Sequence, residues 1–333
     1  MKNLILTAMM LLCAASVPAQ PCADYRIIPM PVSAQTDTTQ CFALTSGMGI
    51  SYDASDPETS RIAVWLKEYV EEYTGVALAL TPEAKKAAVA LSLQQPKAKK
   101  SKQPAATVPE EISNSAYTIS VGKQGIRLTA ACNEGLFRAM QTLRKSLPLR
   151  RTEEQQVLFP YTTIADQPRF AYRGVHLDCA RHYFSVETVK QYLDLMAMHG
   201  CNQFHWHITE DQGWRFEVKA LPDLALRGSV RAQTVIGRNT GCYDGTPYGG
   251  YYTQEQCREI VNYAAQRYIN VIPEIDLPGH MQSALHVYPN LGCTGGPYEV
   301  WQIWGVSRDV LCAGNPETME FLKTVLGELC VIF

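Results

Sequence analysis

Three short stretches of this sequence gather the side chains that do chemistry. Asp178, Arg181 and His182 lie in the first, His205, His207, Glu210 and Asp211 in the second, and Asp276 and His280 in the third. An arginine holds five donors in a planar fork, which suits a structural carboxylate or a pair of vicinal hydroxyls, and Arg181 is open to both. A carboxylate against an imidazole fixes its tautomer and raises its basicity. Glu210 and Asp211 are therefore either relay partners for a histidine or parts of an ordinary polar loop. His205 and His207 are two apart and share one face of a strand. A His-x-His pair can bind a metal, but no third and fourth ligand stands out at matching positions, so no metal and no other cofactor is expected. His280 follows Pro278-Gly279, a turn that would aim its ring back over the other groups; the plain alternative is a locally satisfied loop histidine.

The positions of these groups follow from the elements that carry them. Each cluster trails an expected strand: Tyr172 to Asp178, Asn202 to Ile208, and Ile269 to Asp276. Between the strands the apolar spacing turns helical. Ser185 caps a helix carrying Val186, Val189, Leu193 and Met196. Thr253-Gln254-Glu255-Gln256 fits a capping box, and its helix carries Ile260, Val261, Ala264 and Tyr268. Asn315-Pro316 opens a last helix through Leu329. A long insertion, Trp214 to Tyr252, separates the second strand from its helix. Alternating strands and helices imply a parallel sheet with right-handed crossovers, either a barrel or an open doubly wound sheet. No glycine-rich phosphate fingerprint follows the first strand, which argues against a dinucleotide fold. Reactive groups at the carboxyl ends of all three strands match a (β/α)8 barrel mouth. Trp206, Trp214, Tyr243, Tyr248, Tyr251, Tyr252, Trp301 and Trp304 fall on or near that mouth, where flat rings suit apolar ligand faces; each one taken alone fits core packing as well.

The preceding half has a different rhythm. Ser60 to Tyr73 is helical in spacing, Val89 to Leu93 is a strand, Tyr117 to Ala130 is a hairpin, and Glu134 to Leu147 is a helix. Residues 96–102 form a polar, lysine-rich loop, and Ala165 to Arg169 has the composition of a linker. Lys2, the short apolar run Leu4 to Leu12 and Val17-Pro18-Ala19 make an export signal, cleaved after Ala19. The expected division is thus 1–19 signal peptide, 20–165 accessory domain and 166–333 catalytic unit, in a protein that is periplasmic or extracellular. No other segment is apolar enough to span a membrane. The net charge of −2 leaves no basic footprint for nucleic acid or for an anionic membrane surface. Of the eleven cysteines, ten lie beyond the signal, and their spacings match no zinc pattern. Cys22 and Cys41 flank one region and Cys293 and Cys312 another, but pairing is not deducible from sequence.

Three motifs now carry a resemblance. Arg173-Gly174-Val175-His176-Leu177-Asp178-Cys179-Ala180-Arg181-His182-Tyr183-Phe184 resembles the first-strand signature of the family 20 glycoside hydrolases, the β-N-acetylhexosaminidases. Phe204-His205-Trp206-His207-Ile208-Thr209-Glu210-Asp211-Gln212-Gly213-Trp214-Arg215 resembles the second, and Pro273-Glu274-Ile275-Asp276-Leu277-Pro278-Gly279-His280 the third. The match runs from about Asp166 to the end, and the preceding half resembles the smaller α/β domain that commonly precedes this barrel. The resemblance implies an α/β fold: a small N-terminal α+β domain, then about three βα units of a TIM (β/α)8 barrel.

The same resemblance implies an exo-acting enzyme that releases N-acetylhexosamine from glycans or oligosaccharides. Arg181 would bind hydroxyls of the terminal sugar. Glu210 and His280 would relay to the catalytic acid, although many relatives have Asp at the position of Glu210. Asp178, His207, Asp211 and Trp214 are further candidate site residues. In the family the sugar's own acetamido oxygen is the nucleophile. A Glu protonates the leaving oxygen, and the Asp before it orients the acetamido group. That Asp-Glu pair is expected after Phe333, so the chain is expected to be an inactive fragment. Two other classes stay open: a non-catalytic secreted sugar-binding protein that keeps the arginine, and a metal-dependent barrel hydrolase resting on His205 and His207.

Overall fold

The computed structural model describes residues 21–83, 87–94, 109–149 and 156–333. The export signal and the lysine-rich loop at 96–102 lie outside the described residues. The chain divides into two compact units, Met1–Ala171 and Tyr172–Phe333.

The first unit is built on a seven-stranded mixed sheet. Its strands are β1 (Ser33–Thr45), β2 (Gly49–Ser51), β3 (Ala79–Thr81), β4 (Ala87–Leu93), β5 (Tyr117–Gly122), β6 (Gly125–Ala130) and β7 (Gln156–Asp166), in the order β1-β7-β5-β6-β4-β2-β3. Pairing is antiparallel from β1 to β6 and parallel from β6 to β3. Val89, Leu91, Ile119, Val121, Ile126 and Leu128 are buried in its core, with Ile62, Leu66 and Val70 of helix Pro57–Thr74 and Leu136, Met140 and Leu143 of helix Asn133–Ser146. The two helix starts are tied together. Asp56, the N-cap of the first, accepts from Glu58 N–H, from Thr59 Oγ1 at 2.7 Å and from Asn133 Nδ2 at 2.7 Å. The helix ends at Gly75, whose φ of 78° is the left-handed conformation that only glycine adopts cheaply.

One expectation fails here. Ala165 and Asp166 are strand rather than linker: Ala165 pairs with Ser33 and Thr118, and Asp166 with Tyr117. Asp166 also accepts from the Tyr117 hydroxyl at 2.8 Å. Pairing from both sides outweighs the turn signal of the nearby Pro168. The Cys22 and Cys41 thiols meet by a side-chain hydrogen bond, and burial, then Cys41, raise the Cys22 pKa.

The second unit has a parallel three-stranded sheet. Gln203–His207 is the middle strand, flanked by Gly174–Asp178 and Asn270–Glu274. Chain order and spatial order agree, so the sheet grows in one direction, as in the opening βα units of a TIM barrel. Helices Val186–Met198 and Gln254–Ala265 are the crossovers, and Pro316–Leu329 is the helix after the third strand. Ser185 caps the first of them, accepting from Thr188 N–H, and Thr253 and Gln256 complete a reciprocal capping box on the second. The register places His176 beside His205, and His207 between Asp178 and Glu274. Paired residues of parallel strands share a face, so one face of this sheet is polar. The alternate residues, Phe204 and Trp206, are fully buried, Trp206 against Tyr252. This is why strand and helix were legible here: helix-facing positions are apolar without exception, and the polar ones lie two apart.

Candidate active site

Glu210 is the junction of the polar groups. It has no solvent exposure. Its Oε2 lies 3.1 Å from Arg181 Nη2 and 3.1 Å from His207 Nε2, and its Oε1 lies 2.5 Å from His280 Nδ1. Burial works against its charge, but the hydrogen bonds from His207, His280 and Asp211 N–H prevail and hold its pKa below the usual carboxylate value. Burial likewise lowers the His207 imidazolium, and bonds to Glu210 and Glu274 outweigh it, raising the pKa to about 9. His280 is raised in the same way, against its burial, by Glu210 first. Its backbone has φ of 58°, a conformation uncommon outside glycine, and this turn carries the ring back to Glu210.

Arg181 is held from below. Its Nη1 donates to Asp178 Oδ2 at 2.8 Å. Asp178 Oδ1 also accepts from the N–H groups of Ala180 and Arg181, so strand end and guanidinium are fixed together. Arg181 thus has carboxylate partners, and its side chain is still one-third exposed at 35%. Asp276 reaches His280 Nε2 at 3.7 Å.

Two residues that the sequence did not single out complete the arrangement. Glu274 Oε1 lies 2.9 Å from His207 Nδ1, and Glu274 also binds His205 Nε2. Its signal was present: it stands two residues before Asp276 on the same strand. Arg215 is fully buried with no carboxylate beside it among the described residues. It donates to the carbonyls of Ala180 (2.8 Å), Gly250 (3.0 Å) and Ser229, and so fixes the backbone just before Arg181. Burial depresses its pKa to about 10.

The remaining candidates divide. His207 belongs to the network. Asp211 is fully buried beside Glu210 and His280, and its carboxylate accepts from Gln282 N–H and Ser307 N–H, tying those two segments together. Trp214 departs from expectation: it is fully buried, donates to the Phe216 carbonyl and packs on Phe321. An indole behind a Gly-Trp turn is a core residue here because the insertion folds back over it. His176, His207 and Glu274 bring one ligand atom each within 4.8 Å of one another, as do His207, Glu210 and Asp276, and Glu210, Asp211 and His280. Both nitrogens of His207 are already taken by carboxylates, so an ion there would displace existing bonds.

Comparison with known proteins agrees with this geometry. The sequence model of the "Glycosyl hydrolase family 20, catalytic domain" matches residues 170–333, and that of "Glycosyl hydrolase family 20, domain 2" matches residues 24–167. A β-hexosaminidase of Vibrio furnissii is 35% identical over 320 residues, 96% of this chain and 48% of that protein. One from Porphyromonas gingivalis is 42% identical over 67% of this chain and 28% of its own length. Among solved structures, Streptomyces plicatus N-acetyl-β-hexosaminidase in complex with Thio-NAglucal aligns with a TM-score of 0.79 at 32% identity, covering 95% of this chain and 58% of that one. An exo-β-N-acetylglucosaminidase of Vibrio harveyi in complex with N-acetylglucosamine aligns at 0.74 and 28%, covering 95% and 46%. The chain spans about half the length, or less, of these relatives. With both family domains matched in order, and the motif residues converging on one carboxylate, the chain belongs to glycoside hydrolase family 20.

Proposed function

We propose that this chain is the substrate-holding half of an exo-β-N-acetylhexosaminidase that removes terminal β-linked N-acetylglucosamine or N-acetylgalactosamine from glycans outside the cytoplasm. The observation that carries this is the junction at Glu210, where one buried carboxylate holds both the exposed-side arginine and His280. Arg181 donates to sugar hydroxyls. Glu210 and His280 transmit charge toward the acid that protonates the leaving oxygen. The acetamido oxygen forms a bond to the anomeric carbon as the glycosidic bond breaks and the acid's proton goes to the leaving oxygen. Water then opens the cyclic intermediate, and the configuration is retained. The acid itself, in an Asp-Glu pair, is not among these residues: the sequence contains no Asp-Glu dipeptide. Relatives named as β-hexosaminidases and a neighbour holding N-acetylglucosamine support the substrate class.

The test is hydrolysis of an aryl β-N-acetylglucosaminide by the full-length protein containing this chain. Release of the free sugar in the β configuration first is the expected result. An inverted product, or no turnover, would sink the reading.

A further inference from the structure

Glu274 stands among three imidazoles. Its Oε1 lies 2.9 Å from His207 Nδ1, and its Oε2 meets His205 Nε2. The third ring, His176, holds its Nε2 4.0 Å from that same Oε2, beyond hydrogen-bond reach. The His176 ring packs edge-on against His205, with centroids 4.6 Å apart, and its side chain is 48% exposed. Burial first, then the neighbouring His205 and His207, holds its pKa below 6.5. His176 is therefore neutral at pH 7, with a lone pair on one ring nitrogen.

Two imidazoles and a carboxylate are a transition-metal donor set. Calcium and magnesium take oxygen ligands, whereas zinc accepts histidine nitrogen together with carboxylate oxygen. Zinc–ligand bonds of about 2.0–2.2 Å set the donors of a tetrahedral ion roughly 3.3 Å apart. One ligand atom each from His176, His207 and Glu274 already lies within 4.8 Å of the others. The three residues come from three adjacent strands, so the sheet holds the donors in place. His205, bonded to the other oxygen, would orient the carboxylate from behind. The two neighbouring triads are poorer sites. Both include Glu210, whose carboxylate is already engaged by Arg181, His207 and His280, and the guanidinium repels a cation there.

We propose that His176, His207 and Glu274 form a site for one zinc ion that restrains the activity instead of serving it. The ion replaces the proton that His207 Nδ1 shares with Glu274, and that proton passes to solvent. His207 Nε2 stays on Glu210, so a divalent charge then stands one imidazole away from the carboxylate and weakens its hold on His280. The binding half of the proposal stands alone. The kinetic half rests on the functional reading above.

The experiment uses the full-length protein containing this chain, stripped of metal and with its accessible thiols alkylated. Zinc binding is measured by equilibrium dialysis, and cobalt(II) serves as a visible probe of the same site. The expected result is one ion per chain, the intense visible absorption of four-coordinate cobalt, and a kcat on an aryl N-acetylglucosaminide that falls about tenfold as the site fills. His176→Asn should weaken both metals at least about tenfold and leave the metal-free kinetics unchanged. His199→Asn, outside the cluster, should change neither. No ion bound to the alkylated protein overturns the site, and so does binding that His176→Asn leaves untouched. If that variant does not fold, the absence of the cobalt absorption from the unmutated protein overturns it as well. Binding at the site with no fall in kcat overturns the restraint. Absence of hydrolysis before any metal is added would instead count against the hexosaminidase reading, and the binding measurement would still decide the site.

Discussion

One carboxylate, Glu210, sets the charge state of the groups around it. It accepts from Arg181, His207 and His280 while fully buried, so removing any donor exposes an unbalanced charge in a place water does not reach. Arg181→Ala in the full-length protein should lower kcat/KM on an aryl N-acetylglucosaminide about ten- to a hundredfold, since a charged hydrogen bond is worth about 1.5–3 kcal/mol. Unchanged kinetics would make Arg181 structural only. The network also dictates a pH window. The folded pKa of His207 is raised from 6.5 to about 9, so its contribution is complete below pH 6.5 and is lost as pH rises through 9. That of Glu210 is lowered from 4.5, so its contribution is complete above pH 4.5 and is lost as pH falls through the depressed value. Melting temperature should therefore peak between pH 4.5 and 6.5, and His207→Gln should flatten the alkaline limb. A limb that keeps its slope in the variant would assign the alkaline loss elsewhere. Arg181, Glu210, His207 and His280 were all legible as residue types at strand ends. Glu274 stood in view two residues before Asp276, but its pairing with His207 is set by the strand register, and the role of Arg215 by the fold of the loops around it, neither of which residue type alone gives.

At the scale of elements, what was legible depended on whether a side-chain pattern had a single cause. The capping box at Thr253 and Gln256 is a local device, and local devices survive any tertiary context. Thr253→Ala should cost about 1 kcal/mol, read as a lowered urea midpoint with unchanged slope. No shift in midpoint would mean that the helix start is held by its neighbours alone. The strands β1 and β7 show the opposite case. β1 runs Ser-Ala-Gln-Thr-Asp-Thr-Thr-Gln before its first apolar residues, its first nine positions are exposed, and it lies at the sheet's edge. Nothing alternates there, so the strand exists only because β7 offers it a ladder, with a register shift between Asp37 and Cys41. Trp214 was misplaced for a related reason. Its burial depends on the fold of the insertion after it, which has few regular elements and hence no periodic signal.

At the scale of the whole molecule, the three-stranded sheet has Gly174–Asp178 and Asn270–Glu274 as its outer strands, each paired on one side only among the described residues. A barrel removes such edges by closing. An open edge with apolar neighbours invites pairing between chains. The 333-residue chain alone should therefore self-associate, with its protease-resistant core within roughly residues 23–164. A stable monomer protected through Phe333 by limited proteolysis would contradict this. The same chain should not turn over aryl N-acetylglucosaminides, because general acid help is worth about 10²–10⁴-fold and no Asp-Glu pair is present. Turnover abolished by mutating an internal carboxylate would place the acid among these residues. Chelation should leave the full-length protein's activity unchanged; loss with recovery on zinc would revive the His205 and His207 alternative. No helix among the described residues is long and apolar enough to cross a membrane.

The stitching of Arg215 into the loop carbonyls has a consequence for inheritance. A Cβ placed on Gly213 would fall 2.2 Å from Arg215 Nη2, and one on Gly250, where φ is 145°, would fall 2.6 Å from the Tyr183 ring. Neither neighbour has room to retreat: Arg215 is bonded on every side, and Tyr183 packs on the buried Tyr252. In a saturation library these two positions should tolerate glycine alone, although both lie in loops. Gly241 and Gly245, in the same insertion, have nothing within 4 Å, and Asn and Asp should survive there because both accept a positive φ. Variation in this lineage would thus be channelled into the tip of the insertion while its base stays invariant, leaving the tip free to drift without loosening the backbone that carries Arg181.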